Sequence, residues 1–510
     1  MPTKLSGRTA LLAATAAIAA LAATIPAIAA AQSVAPDDDA KDSSGGPQAS
    51  ASPPGIRPAK SQAKPAEAIP GGRKGPPGMP QSIRWTEDWS KVPAADAPFI
   101  EKIRHIPLDV EDDVYLSIGG EARVYYTNWH HANLGRTAND SNDPVQSRLR
   151  LIGDLHLGQN LRAYVELGDN REYDEQYATA PNRDKLDVYQ AFLDVTVPLG
   201  DAGKITVRPG RFEMPLGNGK LAGVREGLNM RFTYQGVRAT YILPGKVSVD
   251  VFATRPVAIT PGTFDDEGDK SKVFHGVYVS APNTVAGFGT DLYWYEMKRE
   301  TANLREGSGA DDRSTYGARL WKRNAQVDFD LEGALQRGTF ADQDIRAWGV
   351  LFEAGYTWPA LPMKPRLGLR ANAFSGDDDL SDGKAGTFVA ASPRLPLFSE
   401  AAFFNFSNLM DLYPSVTLKP VNNLTIMAGP DFLWRQSKAD GVYIGPTGSS
   451  FAPYEGSRFI GTDLNLEASW QATSRLAFRL FETYFKPGDD FAEAGAKKGN
   501  YFGIMSNYRF

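Results

Sequence analysis

No cysteine occurs among the 510 residues, which excludes a disulfide scaffold and a cysteine on which a lipid anchor could be built. Beyond the extreme N-terminus no apolar run reaches the eighteen residues a membrane helix needs, which argues against a helical membrane protein. Net charge is also scarce: the formal value of -5 is far from the basic excess expected of a general nucleic-acid binder. Histidine is limited to 5 residues, and the pair His130 and His131 lacks a companion cluster of ligands, so a surface role is favoured over a metal site. Aromatics at 11%, frequent glycine and 23% charged residues are what remain, a mixture suited to many amphipathic strands joined by polar loops.

The N-terminus reads as a secretory signal peptide over residues 1–31. Lys4 and Arg8 precede an Ala/Leu/Ile run, and Ala29, Ala30 and Ala31 offer a small-residue cleavage site. An uncleaved anchor is the alternative, disfavoured because Pro26 breaks the run. Residues 32–84 are rich in Ala, Pro and Ser with few large apolar side chains, and read as a disordered periplasmic spacer. A lead-in with Trp85 and Trp89 occupies 85–112, and either packs against the base of the strand-rich region or merely leads into it.

From residue 113 to 510 the chain is a succession of strand-like runs. Tight connections fall at Gln159 and Asn160, Pro244 and Gly245, Asn324 and Ala325, 421–423 and 471–474. Long polar connections alternate with them, at 129–146, 171–185, 213–230, 255–272, 299–314, 338–344, 375–409, 435–457 and 486–498. Nine long and eight short connections predict an all-β fold of eighteen antiparallel strands with both termini on one side; sixteen or twenty strands stay within the error of the boundaries.

Period-two alternation separates two faces. Leu161, Ala163, Val165 and Leu167 oppose Arg162, Tyr164 and Glu166, and Phe329, Leu331 and Leu335 oppose Asp328, Asp330 and Glu332. The last strand ends the same way, with Ile504, Ser506, Tyr508 and Phe510 opposite Met505, Asn507 and Arg509. A soluble sandwich also alternates, but its charged faces would be external. A barrel in lipid fits better, with charges in the lumen and the last strand closed on the first, because lipid accepts no open sheet edge.

The candidate lumen cations are Arg123, Arg148, Arg150, Arg162, Arg208, Arg231, Arg319, Arg370, Arg435 and Arg479. Successive guanidinium groups offer weak sites to an anion, whereas the bland alternative pairs each with an inward carboxylate such as Glu121, Glu166, Asp187, Asp330, Glu332, Glu353, Glu467 or Glu482. The block GRFEMPLGNGKLAGVREGLNMRFTYQGVR from Gly210 adds Arg211, Lys220, Arg225 and Arg238, which line a passage if its Gly-rich connection folds inward and lie outside if it does not. Asp377, Asp378 and Asp379 sit in a Gly/Asp-rich loop without a full calcium-binding pattern. No spacing identifies a glycosidase acid and nucleophile, so an outer-membrane hydrolase is a minor alternative; no enzyme, cofactor or metal is expected.

With IPLDVEDDVYLSIGGEARVYY from Ile106, the block from Gly210, RLGLRANAFSGDDDLSDGKAGTF from Arg366 and the closing NYRF, the chain from about Trp85 to Phe510 resembles the alginate export family of outer-membrane β-barrels. The resemblance implies a monomeric channel through which an anionic polysaccharide crosses the outer membrane passively, supplied by periplasmic machinery. It makes Arg123, Arg211, Arg225, Arg231 and Arg238 the preferred pathway residues, with Lys220 and Asp377 to Asp379 as a possible constriction loop. The other class is a porin for small anionic or aromatic solutes, favoured if residues 375–409 narrow the route. An occluded, purely structural barrel is the third.

Overall fold

The computed structural model describes residues 78–108, 113–177, 182–393, 398–445 and 449–510. Residues 1–31, read as a signal peptide, and the stretch read as a spacer up to residue 77 lie outside the described residues.

Eighteen long strands follow one another around a single antiparallel barrel. They are β1 Val114–His130, β2 Val145–Leu157, β3 Leu161–Tyr173, β4 Asp184–Pro198, β5 Lys204–Phe212 and β6 Tyr234–Ile242. Next come β7 Ser248–Ala258, β8 Lys272–Ala281, β9 Gly289–Leu304, β10 Gly307–Arg323, β11 Val327–Phe340 and β12 Gln343–Thr357. The ring is completed by β13 Arg366–Phe374, β14 Leu409–Val421, β15 Leu424–Arg435, β16 Phe459–Gln471, β17 Leu476–Pro487 and β18 Gly499–Arg509. Strand β18 pairs antiparallel with β1, from Glu121 opposite Arg509 to His130 opposite Asn500, so the sheet has no free edge between its first and last strands.

Alternation sets the two faces as expected. Leu151, Leu161, Val165, Leu193, Leu331, Leu335 and Ile504 are exposed on the outer wall, while Tyr164, Glu166, Asp330, Glu332 and Met505 are buried inside. Tyr356, Trp358 and Trp470 are partly exposed near the turn ends of their strands, the level at which an aromatic girdle meets the membrane interface.

Two connections expected to be long polar loops are instead tight hairpins. Strands β9 and β10 turn at Arg305 and Glu306, and β11 and β12 at Ala341 and Asp342. Both residues of the second turn have positive φ, 46° and 67°, the twist that suits a two-residue hairpin. Polarity marks where a strand leaves lipid, not where it ends; above the membrane both faces meet water or protein, and a polar ladder continues.

The start of the lead-in, from Trp85 to Glu87, packs inside the barrel mouth, and so does the end of the stretch read as spacer, since Gln81, Ile83 and Arg84 are buried. The Trp85 ring lies inside, edge-on to Phe192 at 6.4 Å, with the Arg208 guanidinium 4.1 Å above it. Arg84 donates to the carbonyl of Gly120 and to the Phe510 oxygen, both at 2.7 Å. A β-carbon at Gly119 would come within 1.6 Å of the Arg104 guanidinium, so the first glycine of the Gly119-Gly120 pair clears space for this segment.

Replacing Leu151, exposed near the middle of β2, by Arg is expected to destabilise the barrel by about 2–4 kcal/mol, as for a charge facing hydrocarbon at mid-depth. Equilibrium denaturation in lipid vesicles measures this, and a loss below about 0.5 kcal/mol would contradict the assigned lipid face.

Candidate functional site

Strand β5 ends at Phe212, and the next twenty-one residues, 213–233, enter the barrel instead of leaving it. Met214, Leu216, Leu221 and Met230 are buried and anchor the loop. Gly217 has φ 56°, and a β-carbon there would meet the Tyr278 hydroxyl at 2.0 Å, so only glycine lets the backbone pass this close to the wall. At its far point Asn218 donates to Asp330 of β11 at 3.3 Å, and the Lys220 ammonium lies 3.6 Å from Glu353 of β12. The return limb reaches β1 and β2, so the loop spans the lumen.

A second inward segment meets it there. Residues 375–393 and 398–408 carry Phe388, Phe398, Phe403, Phe404 and Phe406, all buried, and Gly223 donates to the Ser392 carbonyl at 2.8 Å. The lumen is therefore crossed by two loops in mutual contact and entered at one mouth by the segment around Trp85.

Glu226 is the centre of the polar network on the return limb. Arg148 of β2 lies 3.0 Å from it, Arg231 pairs with it closely, and Arg123 and Arg509 stand at 3.9 and 3.8 Å. Arg148 and Arg509 also reach Glu121 at 2.9 and 2.8 Å. Arg123 donates to the carbonyls of Glu226 and Leu228 and to Asn229 Oδ1, at 3.2, 2.9 and 3.0 Å. Arg231 joins the loop to Glu213 at 3.0 Å and to the Ser82 carbonyl of the lead-in at 2.7 Å. These arginines hold the loop and the lead-in in place.

Most other candidate arginines are paired within the wall. Arg162 makes a two-point contact with Asp154 at 2.7 and 2.9 Å, Arg208 one with Asp194 at 2.6 and 2.7 Å, and Arg238 reaches Asp250 at 2.8 Å. Arg319 bridges Asp291 at 2.8 Å and Asp330 at 2.5 Å, Arg370 lies 3.0 Å from Asp411 and also pairs with Asp431, and Arg479 meets Glu467 at 2.7 Å. Arg150 stacks over Tyr189 at 3.3 Å with Glu166 at 3.9 Å. Arg435 donates to the Tyr454 carbonyl at 2.7 Å, and Arg211 to the carbonyls of Val188 and Asp266, each at 2.7 Å, with Asp187 at 3.6 Å.

Arg225 differs. It has a positive φ of 57° and faces the Phe232 ring at 4.4 Å, and among the described residues no carboxylate lies within 4.0 Å of it. Burial lowers its pKa to about 10, which leaves it cationic at neutral pH. Asp377 is buried and accepts the backbone N–H groups of Asp379 and Gly386 at 2.8 Å, whereas Asp378 and Asp379 are exposed. Glu226 and Trp85 were not among the expected site residues; the signal available was that Glu226, beside Arg225, is one of only two carboxylates, with Glu213, in the Arg-rich block from Gly210.

Burial raises the Glu226 pKa, but the guanidinium groups of Arg231 and Arg148 outweigh it and hold the carboxyl at about 2. The ordinary glutamate value is about 4.3, so this anchoring is complete above that pH and is lost as pH falls toward 2. Residues 213–233 are expected to keep their protection in hydrogen exchange from about pH 8 to 5 and to lose it between about pH 4 and 2, after correction for the intrinsic rate. Loosening already near neutral pH would contradict the anchoring role of Glu226.

The family model described as alginate export matches residues 114–505. Among solved structures, Pseudomonas aeruginosa OpdO is similar with a TM-score of 0.53 at 11% identity, over 78% of this chain and 97% of that one. Pseudomonas aeruginosa OccK9 (OpdG) is similar with a TM-score of 0.53 at 12% identity, over 78% and 98%, and OccK11 (OpdR) of the same organism with 0.50 at 13%, over 78% and 96%. At such identities the likeness is one of fold. No curated protein sequence matches the chain. The closed eighteen-stranded ring shares its fold with these barrels, and both ends of the barrel chain meet at its β1–β18 seam. Since the family match runs from the first residue of β1 into β18, the chain belongs to the alginate export family.

Proposed function

We propose that the protein is a porin for small carboxylate-bearing solutes, which pass the constriction formed where residues 213–233 and 375–393 meet inside the barrel. The observation that carries this reading is the folded-in pair of loops, joined through Gly223 and Ser392, which occupies the space a thick polymer would need. The paired arginines of the wall supply a stiff, charge-balanced lining. Arg225 and Lys220 lie on the crossing loop itself, one without a carboxylate partner among the described residues and the other with its partner Glu353 half-exposed at 3.6 Å. A cation of this kind attracts a carboxylate and releases it, as passage requires.

Export of an anionic polysaccharide is the second reading, favoured by the family match over residues 114–505. It requires a continuous route for an extended chain past both loops and the segment around Trp85.

Purified protein in planar bilayers is expected to conduct with anion preference, and the double variant K220Q/R225Q to reduce the chloride-to-potassium permeability ratio severalfold. In liposome swelling, a monomeric uronate should enter faster than a neutral sugar of equal size, and a long uronate polymer should be excluded. Polymer passage by the intact protein would overturn the small-solute reading in favour of export; lack of any conductance would count against both.

Deleting residues 78–90 removes the contacts of Arg84, Trp85 and Ser82 with the barrel mouth. The single-channel conductance of that variant is expected to rise, and an unchanged value would show that the lead-in does not limit the route.

A further inference from the structure

Strands β5 and β6 are short because the chain between them turns inward, and this leaves a low stretch in the extracellular rim between β4 and β7. The connection from β7 to β8, residues 259–271, lies back across that gap. Phe264 donates to the Leu186 carbonyl at 3.2 Å, and the backbone N–H groups of Asp265 and Asp266 donate to Asp187 Oδ2 at 2.8 and 3.2 Å. In β4, Asp184 and Asp187 are three apart, a spacing that puts residues on opposite faces of a regular strand. A register shift in the pairing with β3, between Gly168 and Asn170, inserts an extra residue in β4 and turns both side chains the same way.

One carboxylate oxygen from each of Asp184, Asp187, Asp265 and Asp266 lies within 4.8 Å of the other three. A solvated acidic turn would explain Asp265, which is exposed, and loop capping explains Asp187. Neither explains Asp184. It is 3% exposed, and among the described residues its Oδ1 has no hydrogen-bond partner although Asp184 belongs to this cluster. The cation that touches the group is Arg211, 3.6 Å from Asp187, and its guanidinium is already engaged with two carbonyls. A buried carboxylate without a partner among three others carries a large desolvation cost unless a cation is present.

We propose that these four aspartates bind one calcium ion, which clamps residues 259–271 onto β4 and closes the rim above β5 and β6. Carboxylate oxygens alone suit a hard divalent cation, and there is no histidine or cysteine in the cluster to favour a transition metal. Calcium takes about six to eight oxygens in a flexible shell and accepts several carboxylates at once, whereas magnesium demands a near-ideal octahedron and keeps several waters, so four aspartates drawn from a strand and a loop suit calcium better. Backbone carbonyls and water complete the shell.

The test uses full-length protein in detergent, stripped with a chelator and titrated with calcium chloride by calorimetry. One ion per chain is expected, with affinity at least about tenfold weaker in D184N and in D265N and unchanged in D201N, which lies in a turn at the opposite end of the barrel. D265N, on the exposed loop, keeps the test decisive if D184N fails to fold. Calcium should also slow hydrogen exchange in residues 259–271 in the wild type and not in D265N. Absence of binding, or binding that survives both site substitutions, would overturn the proposal.

Discussion

The seam between β1 and β18 is the constraint on which the other features depend. Hydrocarbon offers no partner to a backbone N–H or carbonyl, so a sheet in lipid must close, and closure brings the two ends of the barrel chain side by side. Everything attached to those ends is then fixed relative to the lumen. Arg509 faces inward beside Glu121, where it joins Arg148 and Glu226, and the Phe510 oxygen becomes the acceptor on which Arg84 seats the lead-in. A seam displaced by one residue would turn Arg509 to lipid and unseat both the inward loop and the segment at the mouth.

Inward charge is governed by the same closure. A polar lumen narrowed by its own loops is drier than an open pore, so each guanidinium there must find a carboxylate or a carbonyl. Leaving one member of a buried pair alone costs on the order of 3–5 kcal/mol. The wall meets this demand locally: Arg208 with Asp194, Arg238 with Asp250 and Arg319 with Asp330 all join neighbouring strands. Because these charges are spent on one another, the number of arginines says little about the sign of the passage, and Arg225 stands out by contrast.

Much of the barrel was legible in the sequence because its two determinants are local. Alternation at Leu161 to Leu167 reports which side meets lipid, and turn residues at Asn160 and Gly245 report where a strand reverses. The hairpins at Arg305 and at Ala341 escaped because their flanking strands project beyond the lipid, where apolar alternation lapses. The site was less legible. Glu226 matters because register places Arg123, Arg148 and Arg509 around it from both sides of the seam, and no spacing along the chain encodes that meeting. The resemblance singled out the block from Gly210 but could not separate arginines that hold the loop, such as Arg231, from Arg225, which pairs with no carboxylate among the described residues.

The inward loop and the rim above it are two consequences of one departure from barrel regularity. Twenty-one residues between β5 and β6 fill the lumen instead of continuing the two strands, which have 9 residues each beside the 15 of β4 and the 11 of β7. Residues 259–271 must then do as a cover what strands do elsewhere, without a continuous ladder of hydrogen bonds to hold them. Glu267 and Gly268 pair with the end of β7, and the anchorage across the gap is at β4, where irregular pairing with β3 supplies Asp187 and Asp184. A constriction made by borrowing strand length therefore carries its own requirement for a clamp at the rim, and the stability of the cover and the geometry of the passage beneath it are coupled through Arg211, which donates to β4 and to the cover from the end of β5.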